Sequence, residues 1–355
     1  MINTRLFEWY GIDTKKNLGI ANRCPKPFDT VLIDSKGSCY LCECTAWLPQ
    51  STGNLHLQDL GTILKSHTAT LLRESILDQS YRYCNDKQCS YLLDARNDSV
   101  PFKSGTPRTQ IRNIRLAIDN SCNLSCPSCR TKIIFEKDKR NLKKRYRLAD
   151  KIIEYIKSQE QVINVHVGSD GDPFASLVYR YFIRHAKDLT NTRFTIQTNG
   201  LLIKKMYQRH RPLFEKLDVL NISIDGATKK TYELLRRGGS FFKIMENLHA
   251  VRQLKKKHGF KLILHFVVQK ENYQDMIPMI DLADQHDVDR LWFNRITDWN
   301  TYQDFSKVDV LDHKNQNHKE FLKEIVKVRD KKSNVVVEMP TIINKNYETI
   351  SHTIL

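Results

Sequence analysis

The sequence predicts an α/β chain: a partial (β/α)6 barrel with a small Cys-rich amino-terminal domain. Three observations predict it. From about residue 111 onward, short β-branched runs alternate with helical stretches. Where four of these runs end, polar motifs rich in Gly, Asp and Asn follow. Before residue 105 the texture changes to clustered cysteines and turn-forming dipeptides.

The first run, 111–119, reads as a strand, followed by a cysteine-bearing loop and a helix over 148–158. Residues 162–168 form a second strand and 174–187 a helix. Residues 194–198 are a third strand and 217–224 a fourth. Residues 228–257 are helical with a break at Gly238-Gly239, since paired glycines interrupt a helix. A fifth strand spans 261–269, with a helix starting near Tyr273. A sixth spans 291–296, followed by a helix over 314–328 and a last strand over 334–338. Strands joined by helical crossovers form a parallel sheet with right-handed connections, and six units fit an open partial barrel.

The amino-terminal region predicts a hairpin from 31–33 and 38–42, with the turn Asp34-Ser35-Lys36-Gly37 between them, and a helix over 57–76. A linker is expected at 95–108, where Pro101, Gly105 and Pro107 interrupt regular structure. The expected domains are therefore 1–105, 106–310 and a carboxyl-terminal helix and strand over 311–355.

Composition narrows the class. The 355 residues are 40% hydrophobic, enough for packed cores, and carry a formal net charge of +17. Such an excess attracts anions. Much of it is local: Lys137, Lys139, Arg140, Lys143, Lys144, Arg145, Arg147 and Lys151 form one run, and Arg252, Lys255, Lys256, Lys257 and Lys261 another. Runs of this kind are mostly solvated helix faces. Only Tyr146 interrupts the first, whereas nucleic-acid readers interleave aromatics for stacking; nucleic acid is not an expected partner. Residues 1–23 lack the apolar core of a signal peptide and no window is long and apolar enough to span a bilayer. Nine cysteines in that setting point to a reducing interior, the cytoplasm, and to metal chemistry.

The sharpest motif is Cys122-Asn123-Leu124-Ser125-Cys126-Pro127-Ser128-Cys129. A closed structural zinc site takes four ligands, so three thiols leave a position for a reactant. An iron–sulfur cube held at three corners likewise presents its fourth iron. A zinc knuckle short of one ligand, or a disulfide with a spare thiol, are the plainer readings of the spacing. The CxxxCxxC loop after a first barrel strand resembles the cluster loop of the radical S-adenosylmethionine (radical SAM) superfamily. The resemblance implies that Cys122, Cys126 and Cys129 ligate a 4Fe–4S cluster. Its open iron would chelate the amino and carboxylate groups of S-adenosylmethionine.

Further motifs extend the resemblance over residues 110–300. Asp170-Gly171-Asp172-Pro173 resembles the family's GGEP motif, which holds the methionyl ammonium; Asp170 replaces a glycine and Asp172 a glutamate, one methylene longer. Read alone, it is an Asp-Gly turn before a capped helix. Thr198-Asn199-Gly200 and Ser223-Ile224-Asp225-Gly226 resemble strand ends that line the cofactor pocket, so Thr198, Asn199, Ser223 and Asp225 are expected cofactor contacts. Arg237 could neutralise the methionine carboxylate, or be a surface arginine at a helix end. Ser128 stands where the family often has an aromatic against adenine. His166 and His265 lie within strands and read best as satisfied core histidines. Trp292, Asn294 and Arg295 are candidate substrate contacts, and no residue is singled out as catalytic.

The amino-terminal cysteines resemble a SPASM-type auxiliary cluster module, which in most relatives follows the barrel. Cys24, Cys42, Cys84 and Cys89 are the implied ligands, with Cys44 as substitute and Cys39 in the core; four thiols also suit zinc. The resemblance implies an enzyme that cleaves S-adenosylmethionine reductively to a 5′-deoxyadenosyl radical and abstracts hydrogen from a substrate. The basic charge favours a small anionic one, such as a nucleotide-linked or phosphorylated sugar undergoing dehydrogenation or epimerisation. A one-electron donor such as flavodoxin or ferredoxin is the implied partner. A peptide-modifying maturase and a non-catalytic zinc protein binding nucleic acid are the alternatives.

Overall fold

Apolar runs in this chain pair side by side in parallel because each is followed by a helix that carries the chain back to the same edge of the sheet. The computed structural model describes residues 2–21, 24–89, 91–92, 109–339 and 342; the expected linker at 95–108 lies outside them. Two compact units divide the chain: Met1–Asn120 with Glu136–Gly171 and Leu177–Phe194, and Ser121–Phe135 with Asp172–Ser176 and Thr195–Leu355.

In the first unit, β1 (Thr30–Asp34) and β2 (Ser38–Tyr40) form the expected hairpin, extended antiparallel by β3 (Gly53–Asn54). Asp34 fixes the turn by accepting from the backbone N–H groups of Lys36 and Ser38, and Gly37 takes the left-handed φ of +81° that the turn requires. β4 (Asn113–Ala117) pairs in parallel with β1 and with β5 (Ile163–Val167). Between β4 and β5 runs the helix Lys139–Lys157, nine residues longer at its start than the apolar pattern predicts. Asp138 caps it, accepting from Arg140 and Asn141 N–H. Its inner face buries Leu148, Ala149, Ile152, Ile153 and Ile156. The helix expected over 57–76 is two helices, Leu60–Leu64 and His67–Leu77, because the Ser66 hydroxyl accepts from Ala69 N–H and starts a second one.

The chain crosses to the second unit within β6 (Thr192–Thr198). There β7 (Leu217–Ser223), β8 (Lys261–Val268), β9 (Arg290–Arg295) and β10 (Val336–Glu338) form a parallel run. The break at Gly238-Gly239 separates the helices Lys229–Leu235 and Phe241–His258. The helices Met276–Gln285 and His318–Asp330 complete the crossovers. β4 and β5, and likewise β7, β8, β9 and β10, pair in parallel, and the sheet is not closed into a barrel. One side of β8 buries Leu262, Leu264, Phe266 and Val268, while His265 and Val267 on the other side are half-buried.

Candidate cluster and cofactor site

A loop of thiols needs anchors, since neither a strand nor a helix holds it. Cys122 donates its N–H to Ile134 O at 2.8 Å, pairing the loop's start with its end. Ser125 N–H donates to Arg237 O, and a turn from Cys126 brings in Cys129 and Arg130 N–H. Cys122 and Cys126 are buried and Cys129 is exposed. Each sulfur has donors. Leu124 N–H lies 3.4 Å from Cys122 Sγ and Asn199 Nδ2 3.9 Å from it. Arg236 Nη1 lies 3.8 Å from Cys126 Sγ, and Arg130 Nε 3.4 Å from Cys129 Sγ. Burial, with Asp172 adding, pushes the Cys122 thiol up to about 11. Burial also raises Cys126, against the pull of Arg236.

Asp172 binds the strand ends together. One carboxylate oxygen accepts from Phe174 and Ala175 N–H; the other accepts from Thr198 Oγ1 and Asn199 N–H, both at 2.8 Å. Its own N–H donates to Ser121 O. Asn199 Nδ2 then donates to Asn123 Oδ1. Asp172 thus joins Ser121, Thr198 and Asn199, and through Asn199 the cysteine loop. Burial raises its pKa against those donors. Pro173 is buried, while Asp170 is exposed and Gly171 takes a φ of +71° in the first unit.

The Ser223-Ile224-Asp225-Gly226 end is equally built. Ser223 Oγ lies 2.6 Å from Gln197 Nε2. Asp225 accepts from Val267 N–H and stands 2.8 Å from Arg236 Nε. The Nε–H does not line up as a good hydrogen bond, so its contact with Asp225 is chiefly charge on charge. Burial works against the Arg236 charge, but Asp225 and Cys126 outweigh it and raise its pKa. A Cβ on Gly226 would stand 2.4 Å from Tyr232 N, so no side chain fits there. Arg237 is exposed and offers the loop its carbonyl. Arg236 and Arg130, the guanidiniums against the sulfurs, were missed by sequence reasoning; a basic residue beside each motif was the available signal.

Of the remaining candidates, Arg295 pairs with the buried Asp309 through Nε and Nη2, and Asn294 Nδ2 lies 3.4 Å from Trp292 O. His166 sits half-buried on β5, opposite Arg115 of β4. His265 lies across from Trp292 on β9, ring centroids 4.7 Å apart, with Nε2 3.0 Å from Asn221 Oδ1. Burial, with Arg236 adding, lowers its pKa from 6.5 to about 4. Because the unfolded chain takes this proton near pH 6.5 and the native one only near 4, stability is full above 6.5 and falls as pH drops through that window. The loss by pH 5 is about 2 kcal/mol. Urea unfolding of the apo chain near pH 7 and near pH 5 should show that slope, and a His265→Gln variant should lose it; equal slopes would refute the assignment.

In the first unit, Cys24, Cys84 and Cys89 pack around one apolar cluster with Phe28, Ile76 and Tyr81, and Cys24 N–H donates to Tyr81 Oη. Cys84 interacts electrostatically with Cys24, Cys42 and Cys89. Burial pushes Cys42 up to about 12 and raises Cys24 and Cys84 further. Cys39 is buried against Gly37 O, and Cys44 is half-buried. Arg115 is half-buried, its charge opposed by desolvation and favoured by Glu43, Cys44 and Cys42. Among the described residues no three His, Cys, Asp or Glu side chains are arranged to hold one metal ion. A cube spreads its thiolates more widely than one tetrahedral ion does.

Fold and site together define an α/β protein with three thiols gathered on a loop beside its strand ends. The model of the radical SAM superfamily matches residues 117–283, just under half of the chain. That superfamily works with a 4Fe–4S cluster and S-adenosylmethionine, and the three thiols with their N–H and guanidinium donors fit the cluster. The chain is 28% identical over 182 residues to GTP 3',8-cyclases of Limosilactobacillus fermentum and Lactiplantibacillus plantarum, covering 49% of this chain and 51% of theirs. A probable GTP 3',8-cyclase of Methanococcus maripaludis is 28% identical over 142 residues, or 39% of this chain and 45% of that one. The chain thus spans about half the length of the curated relatives it matches. Among solved structures, Streptococcus suis SuiB bound to S-adenosylmethionine is similar at 14% identity and a TM-score of 0.45, over 79% of this chain and 62% of that one. No helix among the described residues is long and apolar enough to cross a membrane.

Proposed function

We propose that this chain is a radical SAM enzyme acting on a small anionic substrate. The observation that carries the reading is the anchored loop of Cys122, Cys126 and Cys129, its sulfurs supplied with donors from Asn199, Arg236 and Arg130. Donors and positive charges against thiolates stabilise a cluster's net charge and set its potential. When bound, the cluster and S-adenosylmethionine would supply radical chemistry: hydrogen abstraction from the substrate after a one-electron reduction.

The residues have separable tasks. Cys122, Cys126 and Cys129 hold the cluster. Asp172 fixes the Thr198-Asn199 turn of the same unit, and that turn with Pro173 would meet the methionyl ammonium. Ser223 and Asp225 face the nucleoside, and Arg236, more than Arg237, offsets negative charge. The formal charge of +17 and the GTP in the relatives' name support a nucleotide or phosphorylated substrate. The relatives' name also favours a radical rearrangement over dehydrogenation or epimerisation. Trp292 and Asn294 would meet that substrate.

The amino-terminal thiols Cys24, Cys42, Cys84 and Cys89 would hold a second, SPASM-like cluster, supported by their mutual interaction and by Arg115 as counter-charge. Residues 1–105 would then form the auxiliary domain, 106–310 the radical SAM domain, and 311–355 its flank. A reducing compartment, the cytoplasm, suits nine cysteines that form no disulfide with one another. A flavodoxin- or ferredoxin-like protein would deliver the electron.

Anaerobic reconstitution tests this. The expected product is a brown protein with roughly eight irons per chain for two clusters. With dithionite it should release 5′-deoxyadenosine and methionine from S-adenosylmethionine. Cys126→Ala should abolish that release and leave only the amino-terminal iron. A colourless, zinc-loaded protein would end the reading.

A further inference from the structure

We propose that Arg145 is a positioning residue that closes the cysteine loop and holds its three thiols ready for the cluster. The inference rests on the radical SAM reading of that loop. One arm of the Arg145 guanidinium pairs with Asp119, and the other nitrogen stands 3.3 Å from Glu136. Asp119 precedes Cys122 by three positions, and Glu136 follows Ile134 by two. A single side chain therefore grips the chain on both sides of residues 120–135. The Cys122–Ile134 backbone bond closes the same segment a second time, inside the first closure. All three thiols lie within the inner ring of chain.

Arg145 departs from its neighbours. Lys139, Arg140, Lys143, Lys144 and Arg147 on the same helix are exposed. At 100° per residue, Arg145 instead shares the inner stripe of Leu148, Ala149 and Ile152. Its side chain is only 16% exposed, Glu136 15%, and Asp119 not at all. Placing a guanidinium there carries a desolvation cost that an outward lysine would avoid. Asp119 and Glu136 offset it by a geometry only a fork can satisfy. Lysine offers one point of charge and cannot hold both carboxylates with the same rigidity. Closing a loop in advance removes conformations that would otherwise be lost when a ligand binds. The clasp narrows where Cys122, Cys126 and Cys129 can stand before any iron arrives.

The test uses the full chain in wild-type, Arg145→Lys and Glu136→Gln forms. Both substitutions leave Asp119 a partner or intact, so near-wild-type circular dichroism and melting are expected. In the apo proteins, cleavage within 120–135 by a nonspecific protease should be several-fold faster in both variants. After anaerobic reconstitution, the cluster whose EPR signal responds to S-adenosylmethionine should be lost to a chelator about tenfold faster. Arg145→Gln should be faster still. Variants that match the wild type in both proteolysis and iron loss would overturn the proposal while leaving the cluster reading intact. A wild-type chain with no S-adenosylmethionine-responsive signal would instead sink the cluster reading, and the cluster part of this inference with it. The proteolysis arm would still decide whether Arg145 closes the loop.

Discussion

Asp172→Ala is expected to destabilise the apo chain by about 3–4 kcal/mol, because hydrogen bonds to a charged buried group are worth about 1.5–3 kcal/mol each and do not add fully. Four donors converge on that carboxylate, and three are backbone N–H groups that cannot turn away. Only the Thr198 hydroxyl can rotate to a new partner. Asp172→Asn should therefore be nearly as damaging as alanine. Whichever way its amide faces, the NH2 confronts at least one fixed N–H. Urea unfolding of the two variants checks this, and an asparagine variant close to wild type would refute the acceptor-only assignment. Both variants should also lose iron from the three-thiol loop, since Asn199 would no longer be held against Asn123 and Cys122.

The six parallel strands were legible because their β-branched runs are bounded by Gly, Asp and Asn at the ends. The cysteine loop was legible because three ligands within one short segment need no long-range information. Other features depend on contacts distant in sequence. The start of the helix at Lys139 was hidden: its first turns present lysines and arginines, with no apolar stripe before Leu148. Its inward arginine could not be told from its outward neighbours without knowing where Asp119 and Glu136 stand. Likewise, Arg236 and Arg237 look alike as letters. Only the fold, with Gly226 packed on Tyr232 and Gly238 at a φ of +91°, turns the first inward and leaves the second exposed. The parallel pairing of β1 with β4 joins residues some eighty positions apart and left no local mark.

Arg236→Met should show how much of the site's charge balance rests on one side chain. The substitution keeps the apolar stem but leaves the Asp225 carboxylate buried, without its guanidinium and with the neutral Val267 backbone N–H still donating to it. Removing one partner of a buried pair costs about 3–5 kcal/mol, mostly from the charge left behind. Asp225→Asn in the same chain removes that charge, so the double variant should recover most of the loss. The coupling between the two positions should therefore lie at the upper end of the range for contacting residues, about 3 kcal/mol. Unfolding of the wild type, the two single variants and the double variant closes the cycle; additive effects would show that Arg236 and Asp225 do not depend on each other. Recovery should not extend to the cluster. Cys126 loses its guanidinium neighbour in both Arg236→Met and the double variant, so iron retention at the loop should stay low in each. Stability restored without iron retention would separate the structural task of the ion pair from its task toward the sulfur.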